Sequence, residues 1–307
     1  MRRRVFILIA TFLLIATPIF AQQKENYPLP KRGIDTLKIL GIGNSFTDDG
    51  MEYIPEILEA AGVHNVILGR LYIGGCSLER HCMDYEDGKS NYIYYKSENN
   101  KWVTAKKGAS MLDGLLDEDW DIVVTQQVSG KSGQYDTYSP WLGKLMDIIR
   151  EKCPNPKATI AWQQTWAYAT NSTHGNFKNY DSDQNKMYNA IVNCVSKLPE
   201  DYNIDLIVPS GTAIQIHRGT EFNDNKDLTR DGYHLSHTQG RFVAACCWYE
   251  RLVRPVVGSK SIVKNSCRLV GRTYREGKMK EPASVELTEE VAAACKKSAK
   301  EAMKMFK

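Results

Sequence analysis

The stretch "KILGIGNSFTDDG", residues 38–50, runs from an apolar segment into a small-residue turn and out into a polar one. Ile39, Leu40 and Ile42 are the residue types of a buried strand, and Gly43 marks its end. Ser45 suits the cap of a helix that follows, since serine and aspartate are favoured there. The stretch reads as a strand, a tight turn and a helix, and such turns lie at the edge where open α/β sheets place their sites.

Working outward, short apolar runs predict strands at Leu37 to Ile42, Val66 to Ile73, Ile122 to Thr125, Thr159 to Gln163 and Ile204 to Val208. Amphipathic segments predict helices near Met51 to Ala61, Trp141 to Glu151, Gln184 to Lys197 and Thr238 to Leu252. This alternation implies a mainly parallel sheet of about five strands covered by helices. It forms one α/β domain over residues 36–257. "NYIYYKSENNKWVTAKK", residues 91–107, has two β-rich halves around Glu98, Asn99 and Asn100, and reads as an inserted hairpin rather than a strand of the sheet. The C-terminal extension, residues 258–307, is basic and ends in the helical pattern "TEEVAAACKKSAKEAMKMF", which either packs as an extra helix or projects as a tail.

Residues 1–21 combine three arginines, an apolar core and a small-residue end, the pattern of an export signal cleaved after Ala21. A linker, residues 22–35, follows. A membrane anchor is the rival reading, but Pro18 interrupts the run and the run is short for a spanning helix. The expected location is periplasmic or extracellular, without stable membrane insertion after cleavage. Loss of the leader takes Lys plus Arg from 40 to 37 against 36 acidic residues, a near-neutral balance that gives no support to a nucleic-acid partner.

All eight cysteines lie beyond the leader, where an exported protein can pair some of them. Cys246 and Cys247 are adjacent in a predicted helix, so their side chains diverge and do not suit each other. Cys76, His81 and Cys82 match no common zinc spacing and read as structural or disulfide-forming. No metal or other cofactor is expected.

The turn itself admits three readings. Gly41 and Gly43 match the opening of a dinucleotide fingerprint, but Phe46 stands at the third glycine and no phosphate-loop lysine follows. A plain βα turn with Ser45 as a cap is the blandest. In the third, Ser45 is a nucleophile, which requires a base and donors for the oxyanion. "LTRDGYHLSHTQGRFVAACCWYERL", residues 228–252, offers Asp231 and His234 in a glycine-containing loop before a helix. A carboxylate there can orient the imidazole while its other nitrogen takes the serine proton. His237 is a substitute base at a less suitable spacing, and an isolated D-x-x-H is commonly just a turn beside a structural histidine.

Order and position strengthen both signals. "GNSFTDDG" and "DGYHLS", at opposite ends of one α/β domain, resemble the first and fifth sequence blocks of the SGNH hydrolase (GDSL-type esterase) superfamily, with Asn44 in place of aspartate in its G-D-S-x-T-x-G pattern. Within it the chain is most similar to the DUF4886 family of secreted Bacteroidetes proteins. The resemblance implies a flavodoxin-like three-layer α/β/α sandwich and ester hydrolysis by a Ser-His-Asp mechanism. It makes Ser45 the nucleophile, and it makes the Ser45 amide one oxyanion donor. "LYIGGCSLERH", residues 71–81, resembles the second block and makes the Gly75 amide another donor.

The third block departs from the family. Where its members commonly carry G-x-N-D, this chain reads "VVTQQVSG", residues 123–130. Gln127 is the favoured side-chain donor there, and Gln126 the alternative; both could equally satisfy buried polar groups. "WQQTWAYATNSTHGNF", residues 162–177, lies on the same sheet edge. Its Trp166 and Tyr168 are expected to stack on a sugar ring, with Gln164 and Gln126 bonding it, unless these aromatics are core anchors. The resulting expectation is a secreted carbohydrate esterase acting on an O-acetyl or methyl ester of a glycan. A catalytically weak glycan-binding protein and a structural envelope protein are the rivals.

Overall fold

The computed structural model describes residues 28–270 and 285–306; the leader and most of the linker lie outside them. Strand β1 (Leu37–Gly43) is buried almost throughout, because strands pair with it on both sides: β2 (Val66–Tyr72) and β5 (Ile122–Thr125), both parallel. Between β1 and β2 the chain forms α1 (Ser45–Met51) and α2 (Ile54–Ala61). The sequence predicts one helix near Met51 to Ala61. The helix instead starts earlier, where the Asn44 side chain caps the Phe46 amide at 2.9 Å, and breaks before Pro55, whose ring cannot continue a helix.

After β2 come α3 (Leu78–Glu86), the strands β3 (Tyr92–Glu98) and β4 (Lys101–Ala109), and α4 (Met111–Leu115). The two strands do form a hairpin, but they extend the sheet, since β3 pairs antiparallel with β2. The sheet therefore has seven strands in the order β4-β3-β2-β1-β5-β6-β7, where β6 is Thr159–Gln163 and β7 is Leu206–Val208. Its parallel core is doubly wound, with the switch point between the neighbouring strands β1 and β5.

Helix α5 (Trp141–Lys152) precedes β6, α6 (Gln184–Val195) and α7 (Leu198–Asp201) precede β7, and α8 (Ser210–Arg218) follows it. Helix α9 (Gln239–Trp248) runs through a π-helical turn into α10 (Arg254–Val257). That widened turn brings the chain to Pro255, which donates no N–H. A two-residue ribbon, β8 (Leu269–Val270) with β9 (Val285–Glu286), leads to α11 (Glu289–Met305).

The C-terminal helix packs rather than projects: α11 lies on α8 and α9. His217 of α8 is buried between Ser298 at 3.1 Å and Gln239 at 2.8 Å, and the Lys296 ammonium donates to the Asn265 carbonyl at 2.6 Å. Among the described residues no helix is long and apolar enough to cross a membrane. All eight cysteines are buried, unpaired thiols.

Two glycines of β1 answer a packing need. A Cβ on Gly41 would lie 2.6 Å from the Met51 sulfur, and one on Gly43 would lie 2.0 Å from the Thr47 hydroxyl. Helix α1 thus sits directly on β1, and the tip that carries Ser45 is held close to the sheet.

Candidate active site

Asn44 fixes the turn between β1 and α1. It is buried, and its Oδ1 caps Phe46 while accepting Gln126 Nε2 at 2.7 Å; its Nδ2 donates to the Cys76 carbonyl at 2.9 Å. Gln126 in turn accepts Gln163 Nε2 at 2.5 Å, and Gln163 accepts the Trp248 indole N–H at 2.6 Å. A buried polar chain from α9 through β6 and the residue after β5 therefore ends on the residue before Ser45. Its side chains find partners within the chain, as buried polar groups require.

Ser45 remains partly exposed at the first position of α1. Its Oγ lies 2.8 Å from His234 Nε2, and His234 Nδ1 lies 2.6 Å from Asp231 Oδ2. The other Asp231 oxygen accepts the His234 amide at 2.8 Å and the Tyr233 amide at 3.2 Å, so the carboxylate shapes its own loop. Burial pushes the Asp231 carboxyl up, but the His234 ring and these amides outweigh it and hold it below the usual carboxylate range. An imidazole between a hydroxyl and an ionised carboxylate can take the hydroxyl proton and keep the charge it gains.

The loop is anchored from the nucleophile's own helix. Asp49, one turn after Ser45 and fully buried, accepts the Leu235 amide at 2.8 Å, Arg230 Nη1 at 3.0 Å and Arg241 Nε at 2.7 Å. Burial alone would raise its carboxyl; Arg241 and Arg230 outweigh burial and keep it ionised. His237, the substitute base, makes no hydrogen bond to Ser45 among the described residues. Burial, then Arg241 and Arg230, push its ring down to about 4.

Gly75 adopts a left-handed φ of 62° and is exposed, with nothing near the position a Cβ would take. Its turn is tied to the Ser45 turn by the Asn44–Cys76 bond and by Ile73 N–H donating to Gly43 O at 3.1 Å. Among the described residues neither the Ser45 nor the Gly75 amide has a hydrogen-bond acceptor, and Ser45 is at a helix start where amides are left over. Two N–H groups, one in each of these linked turns, thus remain without an acceptor among the described residues.

The remaining expected site residues are placed differently. Gln127 is buried; its Nε2 donates to Thr137 O at 3.1 Å and Thr137 Oγ1 at 3.2 Å, while its Oε1 accepts from Leu78 and Val128. Both amide protons are engaged, which leaves none for an oxyanion. Gln126 is internal, as part of the chain to Asn44, and is not a substrate contact. Gln164 is also internal and accepts Thr212 N and Oγ1, each at 2.9 Å.

Nor do the two aromatics offer a free face. Trp166 is fully buried, stacked on Phe46 with centroids 4.3 Å apart, an arrangement worth about 0.5–1.5 kcal/mol beyond burial. Its indole N–H donates to Tyr233 O at 2.8 Å, so it braces the His234 loop. Tyr168 is fully buried with its hydroxyl 2.9 Å from Ser129 Oγ. The sugar-stacking expectation for these residues is corrected to a supporting one.

Sequence reasoning passed over Asp49, Arg230 and Tyr233. The available signal was the helical spacing of Ser45 and Asp49, which predicts one shared face. Cys76, His81 and Cys82 form a packing cluster: the His81 Nδ1 lies 2.6 Å from the Tyr92 hydroxyl and 3.4 Å from the Cys76 sulfur, and Cys82 donates to Trp141 O. Burial pushes the His81 ring down to about 4.

No curated protein matches the chain. The crystal structure of a DUF4886 family protein from Bacteroides uniformis ATCC 8492 is similar, with 37% identity, a TM-score of 0.75, and 88% of this chain and 95% of that chain covered. A putative SGNH hydrolase from Slackia heliotrinireducens shares 21% identity at a TM-score of 0.47, over 70% of this chain and 98% of that one. A catalytic mutant of an acetylxylan esterase from Geobacillus stearothermophilus shares 15% identity at a TM-score of 0.46, over 73% and 96%. The family model described as a domain of unknown function, DUF4886, matches residues 38–273, and with it the chain belongs to the DUF4886 family.

Proposed function

We propose that the protein is an exported serine esterase that hydrolyses an ester on a carbohydrate. The observation that carries this reading is the 2.8 Å contact between Ser45 Oγ and His234 Nε2, with Asp231 at 2.6 Å on the other ring nitrogen. Ser45 Oγ attacks the ester carbonyl as His234 takes its proton, and Asp231 stabilises the imidazolium. The Ser45 and Gly75 amides receive the oxyanion. Collapse of the tetrahedral intermediate breaks the bond to the alcohol, which leaves with the proton from His234. Water, deprotonated by the same ring, then cleaves the acyl-serine and restores Ser45.

A carbohydrate ester, O-acetyl or methyl, is supported by the export-type leader, the near-neutral charge and the resemblance of the sequence blocks. Periplasmic or extracellular location rests on the same leader. Hydrolysis of an activated acetate ester, run beside Ser45→Ala and His234→Ala, tests the reading: turnover lost in both variants sustains it. The engagement of Gln127 elsewhere favours a second reading, a glycan-binding protein of low activity. Equal rates in wild type and variants, with binding to an acetylated glycan panel, would put that reading first.

A further inference from the structure

An alcohol leaving the tetrahedral intermediate held on Ser45 must meet His234, because the imidazolium returns its proton to that oxygen. The order of strands decides which protein surface it then touches. Gly75 follows β2 on one side of β1, while β5 and then β6 lie on the other. With the carbonyl oxygen turned towards Gly75, the alcohol is directed to the loop after β6 and to the residue beside His234.

Two rings stand there. The Tyr233 ring is 4.2 Å from the His234 ring, and His174 is 4.6 Å from Tyr233 in an edge-to-face contact. The two loops are packed together: Ala169 N–H donates to Gly232 O at 2.8 Å, and a Cβ on Gly232 would come 3.1 Å from Ser172. His174 is partly exposed, and its Nδ1 accepts the Asn176 amide at 3.2 Å. That bond places the ring proton on Nε2, which has no acceptor among the described residues.

We propose that His174 and Tyr233 form the subsite for the leaving alcohol, with His174 Nε2–H donating to a hydroxyl oxygen of a polyhydroxylated, sugar-like alcohol. The inference rests on the serine-esterase reading and deepens it. Burial, with the nearby His234, depresses the His174 ring below its ordinary value against the pull of Asp231, so the ring is neutral near pH 7. A neutral donor suits a hydroxyl rather than an anionic group.

The test compares kcat and KM on 4-nitrophenyl acetate, whose alcohol bears no hydroxyl besides the ester oxygen, with those on a mono-O-acetylated methyl glucoside. His174→Phe should raise KM for the sugar ester about tenfold, the loss of one hydrogen bond. Its kcat/KM on the aryl ester, which offers that donor no hydroxyl, should fall by a clearly smaller factor than on the sugar ester. His174→Gln, which keeps an N–H donor, should recover much of the sugar-ester KM. If His174→Phe loses its native near-UV spectrum, His174→Leu against His174→Gln reads the same ratio. Parallel loss on both esters, or no change on the sugar ester, overturns the subsite while the serine mechanism stands. Turnover in Ser45→Ala equal to wild type removes the esterase reading and this inference with it.

Discussion

Asp49 accepts the Leu235 amide at 2.8 Å, so the helix that begins with Ser45 also holds the residue that follows His234. The hydroxyl and the imidazole are set by one short helix and not by two independent loops. Arg230 and Arg241 complete the junction, each within 3.0 Å of the same carboxylate.

Asp49→Ala should destabilise the protein by about 3–5 kcal/mol, because it leaves buried arginine charge without its partner. Urea unfolding followed by tryptophan fluorescence measures this. Asp49→Asn retains an acceptor for the Leu235 amide and should be milder, with kcat reduced more than KM is changed. An Asp49→Ala protein as stable as wild type would show that the junction does not hold the loop.

Removal of Asp231 separates orientation from binding. Asp231→Asn should lower ester turnover about 10³–10⁴-fold with KM nearly unchanged, since the carboxylate acts only as the ring gains charge. Steady-state kinetics on an activated ester reads both constants. A loss confined to KM would mean that Asp231 touches substrate instead.

Gln127→Ala distinguishes a structural amide from a catalytic one. Its four hydrogen bonds join α3, the end of β5 and the Thr137 turn. The variant should melt several degrees lower. It should keep kcat within about threefold, against the 10²–10³-fold loss typical of a deleted oxyanion donor. A kcat drop in that larger range would return Gln127 to the oxyanion hole.

Stability should fall as pH is lowered from 6.5 towards 4. His81 is fully buried and its ring is pushed down to about 4, whereas in the unfolded chain it titrates near the ordinary value of 6.5. Between those pH values the unfolded state binds a proton that the native state does not, so stability rises with pH across the window and is fully present above it. The effect is on the order of 3 kcal/mol for a burial of this depth. Urea midpoints at pH 7 and pH 4.5 measure it, and a flat profile would contradict the buried neutral ring.

The thiols should be silent in the native protein. Burial pushes Cys76, Cys82 and Cys295 up to about 12 and Cys194 and Cys267 to about 11, far from the thiolate range. An aromatic disulfide reagent at pH 8 should label none of them until denaturant is added, and then eight. Rapid native labelling would reveal an opening of the core.

Much of this architecture can be read from residue types. Ile122–Thr125 and Thr159–Gln163 appear where short apolar runs placed them, because strands buried on both faces have no polar alternation to blur their ends. The hairpin was legible as two strands but not as sheet edges, since a period of two says nothing about which neighbour a strand will find. Helix α8 gives little sequence signal because Thr212, Ile214 and Ile216 are β-branched and weaken the helical pattern. At the site, Ser45, Asp231 and His234 are brought within hydrogen-bond reach. The side-chain amides were not legible: a glutamine facing a ligand and one joining two loops are the same letter, and only the partners of Gln126, Gln127 and Gln164 separate them.

Ser45 and His234 are 189 positions apart. A chain emerging from the ribosome carries the hydroxyl long before the imidazole can reach it, and α9 must be in place before the loop is held. Any chemistry that depends on the pair is therefore gained only when the chain from β1 to α9 has folded.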